Sequence, residues 1–306
     1  MKHIKLGRSG LTVPAIAVGC MRINEMGSAR VAEWIDGALE MGANFFDHAD
    51  IYGRGACEEL FGQAMAEAGV KREDVILQSK CGIIPGKMYD CSKEHILESV
   101  EKSLKRLGTE YLDVLLLHRP DALIEPEEVA EAFDELERSG KVRHFGVSNQ
   151  NSMQMELLRR YVKQELAADQ LQLSVTNSNM IRSGLEVNMQ TEGAVNRDGS
   201  VLDYCRLHDI TIQVWSPFQY GFFEGVFLGS PEYPELNQVI DEIAKGYGVS
   251  ATAIATAWIM RHPAGMQMIA GTTKLERLRD ICESSEIVLG REEWYRIYLA
   301  AGHMLP

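Results

Sequence analysis

Eight times along this chain a short apolar run is followed by a stretch with helical periodicity, and that alternation restricts the fold more than any other feature. The runs start at Ile16, Asn44, Val75, Val114, Val142, Asp169, Thr211 and Met268. In the first helical stretch, residues 28–41, Val31, Trp34, Ile35, Ala38 and Leu39 share one face, with Ser28 as the expected N-cap. Ser92 is expected to cap another over 92–107, with Gly108 as its stop. Strands alternating with helices imply a parallel sheet. Eight such units imply an α/β chain closed as a (β/α)8 TIM barrel. The doubly wound alternative lacks its fingerprint, a GxGxxG after the first strand. Residues 4–6 and 11–13 flank Gly7-Arg8-Ser9-Gly10, predicting an N-terminal β-hairpin ahead of the barrel. A single domain over 1–306 suits the length.

The connections at about 177–200 and 217–235 exceed the usual few residues. Both follow strand ends, on the C-terminal face where such barrels keep their active sites, so both are candidate lids. Net charge is −13, from 31 Lys and Arg against 44 Asp and Glu. That argues against a nucleic-acid binder or an anionic-membrane binder and leaves open a local basic patch for a phosphorylated small molecule. The six cysteines have neither a CxxC pair nor metal-ligand spacing, and read as reduced thiols of a cytoplasmic protein; a monomer or small homo-oligomer is expected. Ala17-Val18-Gly19-Cys20 is similar to a lipoprotein cleavage site, but the apolar stretch before it is short and broken by Pro14. No segment approaches the ~20 apolar residues that span a bilayer.

The polar residues that matter lie at strand ends. Phe45-Phe46-Asp47 ends one strand, and burying its acid is costly without a neutralising partner. Lys80 ends the neighbouring strand and is the natural candidate. Tyr52, five residues beyond Asp47, can return its hydroxyl to the same point, and His118 ends the next strand. A phenol has a pKa near 10. A neighbouring ammonium is expected to lower it, making Tyr52 a proton donor to a carbonyl that His118 orients. The same residues admit other readings. An Asp–Lys pair can be structural. Lys80 could form a Schiff base, although an adjacent acid would keep it protonated. A metal site from Asp47, His48, Asp50 and His118 fails because strand residues alternate in direction.

Five segments, in order, resemble the aldo-keto reductases: Asp47-His48-Ala49-Asp50-Ile51-Tyr52-Gly53, Gln78-Ser79-Lys80, Leu116-Leu117-His118-Arg119-Pro120, Lys141 to Asn149, and Ile269 to Arg277. The ending Gly302-His303-Met304-Leu305-Pro306 is similar to a bacterial subgroup of that family. The resemblance implies an NADPH-dependent oxidoreductase that reduces an aldehyde or ketone, with Tyr52 as general acid and Lys80, Asp47 and His118 supporting it. Ser148, Asn149 and Gln170 would hold the nicotinamide carboxamide, and Trp215 would stack on its ring. Thr272, Thr273, Lys274 and Arg277 would grip the 2′-phosphate of NADP, and Gly19, Met21, Arg22 and Ser216 would complete the cofactor contacts. A barrel that binds NADP(H) as a sensor or subunit is the alternative. His48 stands where the family usually has Thr, and reads as a hydrogen-bonding neighbour of Asp47 or as a pocket residue. Arg22 and Arg119 hint at a polar or acidic substrate.

Overall fold

The eight apolar runs form eight parallel strands that close into a barrel in chain order. The structure, a computed structural model, describes residues 1–305. The strands are β1 (Ile16–Gly19), β2 (Phe45–Asp47), β3 (Ile76–Cys81), β4 (Leu112–Leu117), β5 (Val142–Ser148), β6 (Leu166–Gln172), β7 (Thr211–Trp215) and β8 (Gln267–Ala270). Closure places Met268 beside Ile16 and Ala270 beside Val18. Strand β4 reads Leu-Asp-Val-Leu-Leu-Leu and is buried throughout. Both of its faces are covered, so an apolar run replaces alternation from Val114 on, and the buried Asp113 is paired with Arg72 at 2.6 Å.

The outer layer is α1 (Ser28–Glu40), α2 (Ala56–Ala68), α3 (Lys93–Leu107), α4 (Pro126–Arg138), α5 (Ser152–Arg159), α6 (Asn179–Leu185), α7 (Val201–Leu207), α8 (Pro234–Tyr247), α9 (Ala251–Met260), α10 (Leu275–Ser284) and α11 (Arg291–Ala300). Ser92 caps α3, accepting from His95 N at 3.4 Å. Ser28 differs from expectation: it is the first residue of α1, and Gly27 occupies the cap with no side-chain bond. Helix α9 is hydrophobic nearly all round because α8, α10 and α11 enclose it. Its Trp258 stacks on Trp294 at 4.8 Å, and each indole N–H donates to the other residue's carbonyl.

The hairpin of His3–Lys5 and Thr12–Pro14 seals the end where the strands begin. Leu6 and Val13 pack there with Ala17, Phe45, Val114 and Leu116. Gly7 has φ +52, and a Cβ on it would lie 2.4 Å from Ala167 O, so only glycine lets this turn seat. The opposite end is the mouth. Three connections there carry structure of their own. The 177–200 segment holds α6 and a turn at Glu192–Ala194, and the 217–235 segment holds a ribbon of Gln219–Tyr220 with Gly225–Val226. A third ribbon, Ile83–Ile84 with Met88–Tyr89, follows β3.

Candidate active site

The mouth opens on a cavity of about 420 Å³ with Asp47, Tyr52 and His118 in its wall. Asp47 is part of that wall, and Lys80 lies behind it, bonded to Asp47. Lys80 is 0% and Asp47 2% exposed, so neither charge is screened by water. The Lys80 ammonium lies 2.8 Å from Asp47 Oδ1 and 2.9 Å from Oδ2. It also donates to His48 O at 2.7 Å and to the Tyr52 hydroxyl at 3.1 Å. All three ammonium hydrogens therefore have acceptors, which is what a buried charge requires. Burial alone would push the Lys80 pKa down, but Asp47 and Tyr52 raise it above its usual value.

The expected lowering of the Tyr52 pKa is not found. Burial raises it by more than Lys80 lowers it, and the Asp47 charge adds to the rise. The phenol is therefore fully protonated at neutral pH in the free protein. The chain turns sharply after it: Gly53, Arg54 and Gly55 all have positive φ, +57, +57 and +93. A Cβ on Gly55 would meet Arg106 Cδ at 2.9 Å, so the loop closes only with glycine there. Arg106 is held in turn by Glu58, which is 0% exposed and accepts from Ser79 Oγ at 2.6 Å. Asp50 has its carboxyl pushed up to about 7 by burial and then by Glu58.

His118 packs edge-on against Tyr52, with ring centroids 6.0 Å apart at 82°. Its pKa is driven well below the usual value, by burial first and then by Lys80 and Arg119. It is thus neutral, with a single ring N–H to donate. Its Nδ1 is buried without a partner.

His48 is not a hydrogen-bonding neighbour of Asp47. Alternation turns it outward, where it is 0% exposed against Phe61, ring to ring at 4.5 Å. Both its nitrogens lack partners, and burial followed by Lys80 depresses its pKa to about 3. It is not in the cavity wall either.

A set of glutamines beneath the site went unforeseen. Gln78 donates to Asp47 Oδ1 at 2.6 Å and to Gln213 Oε1 at 2.9 Å. Gln213 donates back to Gln78 at 3.0 Å and on to Gln267 at 2.9 Å, and Gln267 donates to Pro14 O at 2.8 Å. The signal was present in the sequence: a lone Gln amid apolar residues at Ile212-Gln213-Val214 and Met266-Gln267-Met268. In a barrel strand such a residue needs an interior partner.

Of the expected cofactor residues, Gly19, Met21, Arg22, Ser148, Asn149, Gln170, Trp215, Ser216, Thr272 and Arg277 line the cavity. Thr273 and Lys274 do not; they lie on the turn into α10, with Lys274 exposed at its N-cap position. Gln170 points its Nε2 at Asp47 Oδ1 (3.1 Å) and Gln213 (3.2 Å). A carboxylate only accepts, so the amide must face this way, and its carbonyl oxygen is left for another donor. Asn149, at φ +57, donates to Ser148 Oγ at 2.7 Å and accepts from the Trp215 indole at 3.2 Å. Trp215 stacks on Phe223 at 5.8 Å. Phe223, Phe218 and Val226 bring the 217–235 connection into the cavity wall. The 177–200 connection, the other candidate lid, supplies no wall residue. It is tied down where His303 Nε2 lies 3.0 Å from Ser178 Oγ and 2.8 Å from Val175 O. No cluster of metal-ligating side chains occurs, and no helix is long and apolar enough to cross a membrane, among the described residues.

Comparison with known proteins agrees with this geometry. The sequence model described as the aldo/keto reductase family matches residues 15–300. The uncharacterized oxidoreductase YcsN of Bacillus subtilis is 36% identical over 100% of both chains. A 6-dehydroglucose reductase of Novosphingobium aromaticivorans is 34% identical over 99% of this chain and 96% of its own. The crystal structure of a thermostable aldo-keto reductase, Tm1743, in complex with the inhibitor epalrestat superposes with a TM-score of 0.78 at 27% identity, covering 98% of this chain and 100% of that one. The fold is the (β/α)8 barrel of those proteins, and the chain belongs to the aldo/keto reductase family.

Proposed function

We propose that this protein is an NADPH-dependent reductase of aldehydes or ketones. The observation that carries this reading is the unbroken line Asp47–Lys80–Tyr52, which ends on a cavity wall beside a neutral His118. The reduced nicotinamide, when bound, supplies the hydride. Everything else is done by side chains. His118 donates its one N–H to the carbonyl oxygen and polarises the bond. Tyr52, kept protonated by burial, gives its proton to that oxygen as the alcohol forms. Lys80 stabilises the phenolate left behind, and Asp47 holds Lys80 charged and aimed. In the oxidative direction Tyr52 takes the proton back.

The cavity's donor set fits a nicotinamide dinucleotide. Gln170 Oε1 can accept from a carboxamide N–H while Ser148 and Asn149 lie beside it. Arg277 and Thr272 line the wall after β8, and no acidic side chain pairs with Arg277 among the described residues. A planar guanidinium suits a phosphate dianion, which supports NADPH over NADH, with Thr273 and Lys274 adding to the grip from the turn. The alternative, a barrel that holds the nucleotide without turning over, would have no use for an intact proton donor. A panel of aldehydes and ketones, assayed by loss of NADPH absorbance and repeated with NADH, tests the reading. Turnover at least about 10-fold more efficient with NADPH is expected. Binding of NADPH without reduction of any carbonyl would favour the alternative.

A further inference from the structure

In a chain of net charge −13, the cavity is lined by three arginines, Arg22, Arg119 and Arg277, and one acid, Asp47. Asp47 is already neutralised by Lys80. Arg277 sits in the wall after β8, at the proposed phosphate end, whereas Arg119 directly follows His118 at the carbonyl end. Arg119 has no carboxylate or carbonyl acceptor among the described residues. The acid closest to it in sequence, Asp121, is committed elsewhere: its two oxygens accept from Cys91 N and Leu123 N, both at 2.9 Å. Pro120 restricts the backbone of Arg119 to extended conformations. Its guanidinium carbon lies 5.8 Å from the centre of the Trp215 ring. A cation at that distance from an aromatic ring gives up none of its N–H donors, and the forked donors of a guanidinium match a carboxylate two at a time.

We infer that Arg119 selects for substrates bearing a carboxylate near the reacting carbonyl, so that the preferred class is oxo acids and carboxylated aldehydes. This rests on the carbonyl-reductase reading above and specifies the substrate of that same site. The hydrogen-bonded pair forms in the ground state and persists through reduction, so it acts on KM more than on kcat. The proposed cofactor also carries anionic groups, and Arg119 could instead serve those; the test separates the two.

The test compares two aldehydes of equal shape, 4-carboxybenzaldehyde and 4-carbamoylbenzaldehyde, in the wild type, Arg119→Gln and Arg119→Lys. NADPH affinity is followed separately by quenching of tryptophan fluorescence. The wild type should favour the carboxylated aldehyde at least about 10-fold in kcat/KM. Arg119→Gln should abolish that preference through KM, leaving the carbamoyl substrate and NADPH affinity within about 2-fold of wild type. Arg119→Lys should restore part of it. Equal use of both aldehydes by the wild type would overturn the inference while leaving the reductase reading intact. So would a parallel fall on both substrates, or a loss of NADPH affinity, in Arg119→Gln. Reduction of no carbonyl at all, the oxo acid pyruvate included, would overturn both.

Discussion

His48 is one residue from Asp47 and faces the other way. It is a buried imidazole with two unpartnered nitrogens, and its pKa is depressed to about 3. An orphaned buried polar group costs about 1–3 kcal/mol. The depressed pKa adds a pH dependence. The unfolded chain takes up a proton below about 6.5 that the folded chain refuses, so stability falls as pH drops from there toward 3. At pH 5 the loss from this residue is about 2 kcal/mol. His48→Leu is therefore expected to raise Tm at pH 7 and to raise it further at pH 5, measured by calorimetry at both values. A variant less stable than wild type at pH 5 would contradict this. Strand alternation turns His48 away from Asp47 and so defeats the reading of it as that residue's hydrogen-bonding neighbour; the absence of any partner on the other side depends on which atoms α2 brings there. The Asp47–Lys80 pair was legible because the residues end adjacent parallel strands, while the raised Tyr52 pKa was not, because burial is a property of the closed barrel.

At the scale of elements, the barrel strands act as a frame for amides. Gln78 on β3, Gln170 on β6, Gln213 on β7 and Gln267 on β8 form a chain of hydrogen bonds that ends on Asp47. Each amide orients the next, so the Asp47 carboxylate is held from below as well as by Lys80. Gln213→Leu keeps the approximate volume but strips partners from three amides, and is expected to cost about 1–3 kcal/mol and to lower kcat, with NADPH affinity retained. Denaturant unfolding and steady-state kinetics check this; unchanged stability and unchanged kcat would contradict it. Strand positions were readable from apolar runs, and the residues of the mouth from the polar groups at the strand ends. The chain of amides was not, because it joins strands that are distant in sequence. The small ribbons at the mouth escaped for a related reason: two-residue strands carry no periodicity.

At the scale of the molecule, eight repeats of one local pattern were enough to specify a closed barrel, since a right-handed strand–helix unit repeated eight times closes in chain order. The hairpin seals one end, so the other is left for chemistry. Which connection borders the cavity was not legible from length. The 217–235 segment enters the wall, while the longer 177–200 segment is held by His303 from the far end of the chain. Of the seven non-glycine residues with positive φ among the described residues, Asn149, Ser216 and Phe223 lie in the cavity wall. The central claim for the whole assembly is that these parts exist to deliver a proton from Tyr52. The direct test is Tyr52→Phe, which deletes the proton and keeps the ring against His118. NADPH binding, read by tryptophan fluorescence, should match wild type, while turnover of an aldehyde that the wild type reduces should fall by about 10²–10⁴. Turnover by Tyr52→Phe at the wild-type rate would contradict the account.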